Sequence, residues 1–111
     1  REYSVLFLNF EEKQDYTMTI EAMAFFDPEK KQEMKIILDG IEIGDVTFQD
    51  SNTGQYQFKI EENLIGTEDY NILELDYKYQ FNPKSLGISS DARDLSVYLK
   101  KITIWEDNSL K

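Results

Sequence analysis

Between Asn71 and Phe81 the chain alternates strictly. Leu73, Leu75, Tyr77, Tyr79 and Phe81 fall on one parity, and Glu74, Asp76, Lys78 and Gln80 on the other. A period of two places one set on one face of an extended strand and the second set on the opposite face. One face is therefore dry and the other wet, which is the habit of antiparallel rather than parallel sheets. The same rhythm runs through Tyr16–Phe26, where Tyr16, Met18, Ile20, Ala22 and Ala24 oppose Thr17, Thr19 and Glu21. A chain that repeats this pattern folds as layered β-sheet.

The remaining segments agree. Tyr3–Phe10 is rich in aromatic and branched residues. Met34–Leu38 and Ile41–Phe48 flank Asp39-Gly40, a dipeptide that favours a type I′ hairpin because both central residues need positive φ. Tyr56–Ile60 reads as a short strand, and Glu61–Ile65 as a brief turn of helix. Asp27–Gln32 is a charged turn, able to form one helical turn, with Pro28 stopping the strand before it. The last strand, Leu95–Trp105, changes phase. Leu95, Val97 and Leu99 share one parity, then Ile102 and Ile104 take the inward positions. The switch falls at Lys100-Lys101 and predicts a β-bulge or bend there. The expected architecture is an all-β antiparallel sandwich, jelly-roll-like, of about seven to eight strands. A flattened barrel is the alternative. With 111 residues, positions 1–111 are expected to form one domain, excised from a larger chain, since Arg1 leads directly into strand-like sequence.

Composition narrows the chemistry. The formal net charge is −10, from 22 acidic and 12 basic residues. No basic stripe exists to neutralise phosphates, so nucleic acid is not an expected partner. No apolar run is long enough to cross a membrane, so no membrane insertion by this segment is expected. There is neither Cys nor His. Thiol chemistry, thiolate metal sites and the commonest general base are removed together. Paired acids such as Glu11-Glu12, Glu61-Glu62 and Glu68-Asp69 sit in turns, and no pair stands out as a glycosidase couple. The expectation is a protein that is not an enzyme. No cofactor is expected; calcium held by carboxylates and carbonyls is possible, although no D-x-D-x-D-G loop occurs.

Asn82 to Trp105, NPKSLGISSDARDLSVYLKKITIW, carries the most distinctive run. Asp91, Arg93 and Asp94 precede the final strand. Arg93 can fork across carboxylates or loop carbonyls and hold the loop against the sheet, or it can bind an anionic sugar or phosphate. The run resembles the SP-x-x-LG-x-S-x-D-x-R-x-L ending of a β-sandwich accessory domain of bacterial cell-envelope glycosyltransferases and phosphoglycerol transferases. Leu86-Gly87, Asp91, Arg93 and Leu95 fit that pattern. Asn82 stands where the family usually has Ser, and Ser96 where it often has Gly. The resemblance implies an extracytoplasmic, non-catalytic domain, in the cell envelope or secreted, beside the other domains of a parent enzyme and contacting glycan or that enzyme.

Sugar-binding sandwiches present flat rings to pyranose faces. The candidate rings are Tyr3, Tyr16, Phe25, Tyr56, Tyr70, Tyr98 and Trp105. Of these, Tyr56, Tyr98 and Trp105, with Arg93, are the expected ligand contacts. The competing expectation is a protein-interaction or structural docking module that uses an edge strand or a sheet face.

Overall fold

The computed structural model describes residues 2–66, 69–79 and 97–107. Seven strands are present there: β1 (Glu2–Leu8), β2 (Tyr16–Ala24), β3 (Glu33–Leu38), β4 (Ile41–Thr47), β5 (Gly54–Ile60), β6 (Asn71–Tyr77) and β7 (Val97–Glu106). A single 3₁₀ turn at Glu62–Leu64 follows β5. The strands form two antiparallel sheets, one ordered β1-β6-β3-β4 and the other β5-β2-β7. This is the all-β antiparallel sandwich that the alternation requires. Among the described residues no helix is long and apolar enough to cross a membrane.

The inward parities meet in one core. Met18, Ile20, Ala22 and Ala24 of β2 face Met34, Ile36 and Leu38 of β3 and Leu73 and Leu75 of β6; Phe48, Ile60 and Ile65 close its ends. The sequence parity of β2 and β6 is reproduced residue for residue up to Tyr77, where β6 ends. Gln80 and Phe81, expected to continue that strand, lie outside the described residues.

Among the described residues two polar side chains are buried, and each does a specific job. The carbonyl oxygen of the Gln32 side chain accepts from the backbone N–H groups of Glu33 and Tyr79, while its amide donates to the Tyr79 carbonyl at 2.6 Å. Every polar atom of that side chain is satisfied, so its burial carries no desolvation penalty left unanswered. Asn71 donates to the carboxylate of Asp39, whose other oxygen accepts from the Ile72 N–H at 2.8 Å. Asp39 and Gly40 have φ of 49° and 85°, the paired positive values of a type I′ turn. The hairpin tip is thus tied sideways to β6.

The bulge expected at Lys100-Lys101 is present. Glu21 pairs with Lys101 and Ala22 with Leu99, so Lys100 has no opposite residue on β2. Its effect is on direction. Side chains alternate every residue, and one extra residue reverses the parity downstream. Val97 and Leu99 point inward before the bulge; Ile102 and Ile104 point inward after it. Tyr98 and Trp105, which an unbroken strand would place on opposite faces, both point outward.

A second irregularity joins the sheets. A Cβ on Gly44 of β4 would lie 2.5 Å from the Phe58 ring of β5, so only glycine admits that ring here.

Candidate functional site

The registers of β5, β2 and β7 lay out the outer face of the three-stranded sheet as a grid. One row is Lys59, Thr17 and Trp105; the next is Gln57, Thr19 and Thr103; the third is Gln55, Glu21 and Lys101. Met23 and Tyr98 follow as a fourth, two-strand row. Neighbours across the strands are about 4.8 Å apart, and successive rows are roughly 6.6 Å apart. The middle of this grid is a trough of about 240 Å³, lined by Thr19, Glu21, Gln55, Gln57, Lys101, Thr103 and Trp105.

Its walls are hydrogen-bonding groups of both senses. Two carboxamides and two hydroxyls can each donate and accept; Glu21 accepts only, Lys101 donates only. The Gln55 amide donates to Glu21 Oε1 at 3.2 Å, which fixes both side chains across the trough. No carboxylate among the described residues lies within ion-pair distance of Lys101. The Thr19 hydroxyl on the floor is buried and makes no hydrogen bond among the described residues. A buried hydroxyl left so costs on the order of 1–3 kcal/mol, which a bound polar group or water would return. Trp105, 42% exposed, stands at one end as the sole aromatic wall. Its other side borders a hollow of about 350 Å³ at the end of the sandwich, lined in part by Phe10, Tyr16 and Glu11.

The sequence-expected residues separate on this map. Trp105 belongs to the trough. Tyr98, 63% exposed, lies on the same sheet face beyond the bulge, where it forms an apolar hollow of about 230 Å³ with Met23, Ala24, Phe25 and Val97. Tyr56 does not join them. Its position on β5 is inward, its ring meets Phe48 edge-on at 5.5 Å, and burial together with nearby Asp50 pushes its phenol pKa up. Tyr16 is likewise a core residue, not an exposed ring; its hydroxyl donates to the Glu12 carbonyl at 2.6 Å. Both corrections have one cause: on an alternating strand these tyrosines share the parity of Met18, Ile20 and Ile60. Phe25 and Phe26 are each half-buried. Asp91, Arg93 and Asp94, with the accessory-domain motif, lie outside the described residues. The trough residues Thr19, Gln55, Gln57, Thr103 and Lys101 were not singled out as a site from sequence. Their only signal is that they share the polar parity of three strands whose pairing the sequence does not announce.

The four-stranded sheet has a different outer face. Strand β1, an edge among the described strands, presents Tyr3, Val5 and Phe7 outward, at 52%, 42% and 68% exposure. Phe7 lies opposite Ile72 and meets the Tyr70 ring edge-on at 5.3 Å. Elsewhere on that face Lys78 donates to Glu33 at 2.8 Å, an exposed hydrogen bond that raises the lysine's pKa. Among the described residues no three acidic side chains converge as a metal site.

No family model matches the chain, and no curated protein matches it in sequence. A solved structure does match in fold: "EclA C-terminal domain; sugar-binding protein", with a TM-score of 0.59 and 14% identity over 95% of this chain. The chain spans 66% of the length of that one. At this identity the likeness is one of fold.

Proposed function

We propose that the protein is a carbohydrate-binding β-sandwich that holds glycan in the trough on the outer face of β5-β2-β7. The observation that carries this reading is the trough itself. An exposed indole stands at the end of a row of carboxamides, hydroxyls and one carboxylate, above a threonine hydroxyl that makes no hydrogen bond among the described residues. Sugars offer the matching surface: C–H faces for a ring to cover and hydroxyls that both give and accept hydrogen bonds. The fold shared with a sugar-binding domain supports the reading. A shallow site of this kind binds modestly and has no acid–base pair of its own. The finer placement belongs to the same proposal: a non-catalytic accessory domain of an extracytoplasmic, cell-envelope glycan-assembly protein, as the Asp91 and Arg93 motif implies.

The test is calorimetric titration of the chain with bacterial surface oligosaccharides, with and without calcium, followed by amide chemical-shift mapping. Saturable binding with shifts centred on Thr19, Gln57, Thr103 and Trp105 is the expected result. Absence of binding, or shifts confined to another surface, sinks the assignment.

A second reading rests on the β1 face. An edge strand whose outward residues are Tyr, Val and Phe suits addition of a strand from another protein. The net charge of −10 makes a second copy of this chain repulsive and favours a partner of net positive charge. Binding of such a partner, abolished by Phe7→Asp, is what this reading requires.

A further inference from the structure

Charge is distributed unevenly over the two outer faces. The four-stranded sheet turns Glu33, Glu42, Asp45, Glu74 and Asp76 outward with Lys35 and Lys78. On the three-stranded sheet the outward grid holds Glu21 as its only acid, against Lys59 and Lys101, with Lys100 exposed at the bulge beside them. Lys59 lies 3.7 Å from Asp15 and is engaged. The Glu21 carboxylate is held by Gln55. Of the charged groups lining the trough, Lys101 alone has neither an ion pair nor a hydrogen bond among the described residues. In a chain with ten more acids than bases, a cation without a partner among the described residues, on the wall of a polar trough, is a specific feature.

We infer that the ligand is an acidic oligosaccharide, whose carboxylate or phosphate group meets Lys101 while a neutral ring further along covers Trp105. This inference rests on the glycan reading above. The geometry sets the length as well as the charge. Lys101 and Trp105 are four positions apart on β7, roughly 13 Å at the rise of a strand. A single pyranose ring does not reach both, so a monosaccharide engages one end or the other. Thr103, between them, and Thr19 and Gln57 beside it, take the hydroxyls of the intervening unit. Lys101, Thr103 and Trp105 share one parity downstream of the bulge, so all three face the same side.

The experiment compares three kinds of probe on the full chain by calorimetry. They are a uronate trisaccharide and its methyl ester, a phosphate-bearing trisaccharide and its dephosphorylated form, and the corresponding monosaccharides. At least one acidic trisaccharide is expected to bind about ten-fold tighter than its neutralised form, the worth of one charge-assisted hydrogen bond. That advantage shrinks as salt is raised. Lys101→Gln removes that preference, so that the acidic and neutral forms bind alike, with the thermal midpoint unmoved as the check on folding. Which pair shows the difference separates a carboxylate from a phosphate. Equal binding of acidic and neutral forms overturns the inference, as do an equal loss of both in Lys101→Gln and monosaccharides that bind as well as the trisaccharides. In each of those cases the glycan reading survives. If no probe of any kind binds, both fall.

Discussion

The outer face of β5-β2-β7 carries threonines, carboxamides, lysines and one indole, while the outer face of β1 carries Tyr3, Val5 and Phe7. Both cover the same core, and both arise from strands with the same period of two. What differs is position in the sheet. β2 lies in the middle of its sheet, with both edges paired, so its outward residues form the floor of a concave surface that neighbours enclose. Among the described strands β1 is an edge, and none of them lies beside its backbone groups on one side. A polar grid on a central strand has the hydrogen-bonding groups that the proposed glycan reading needs. An apolar row on an edge has what the alternative, docking of another polypeptide, needs.

The comparison breaks most severely if the shared core is damaged. Leu75→Ala deletes a fully buried side chain beneath the four-stranded sheet. It is expected to cost about 2–5 kcal/mol in denaturant unfolding and to degrade both faces together. Loss of one face with the other intact would show that the sheets are energetically separable. Next, Trp105→Ala is expected to weaken saccharide binding at least ten-fold, roughly 1.4 kcal/mol or more, and to leave any partner of the β1 face unaffected. Phe7→Ser is the converse. It shifts stability by no more than about 0.5 kcal/mol, leaves saccharide affinity as it was, and removes the apolar contact. If Phe7→Ser lowered saccharide affinity as much as Trp105→Ala, the division of labour between the faces would be wrong.

The smallest effect concerns Tyr56, the ring that sequence assigned to the ligand and structure assigns to packing. Burial is the larger cause of its raised pKa, and Asp50 the smaller. A raised pKa means that the folded chain holds the proton more tightly than the unfolded one. That contribution is complete below the ordinary tyrosine value near 10 and is lost as pH climbs through the folded value. Tyr56→Phe should therefore melt with a shallower alkaline decline than the parent between about pH 9 and about pH 11. An identical decline would place the phenol in open solvent.

Legibility from sequence followed the range of the interaction. Alternation gave the inward sets of β2 and β6, Asp39-Gly40 gave the hairpin, and the parity change at Lys100-Lys101 gave the bulge. Each of these is a signal contained within a few residues. The trough was not legible, because Thr19 meets Gln57 and Thr103 through two long-range pairings. Periodicity reports which face a residue takes and is silent on which strand lies alongside. The Gln32 clamp was hidden for the same reason: its partner Tyr79 is 47 positions away, and glutamine in a charged turn gives no hint of burial. Tyr16 and Tyr56 are ambiguous in sequence because a tyrosine's polar tip suits it to either face, and the parity of their neighbours is the better guide.

The unpaired Lys100 has a consequence for heredity. No point substitution can turn Trp105 from one side of the sheet to the other, since every replacement keeps the count of residues. Loss of the Lys100 codon does not turn it either. Lys101 would then follow Leu99 directly, and the pairs Ala22–Leu99 and Glu21–Lys101 already belong to one unbroken register. The bulge is therefore the place on this strand where the gene can shed one residue and still present the indole on the outer face.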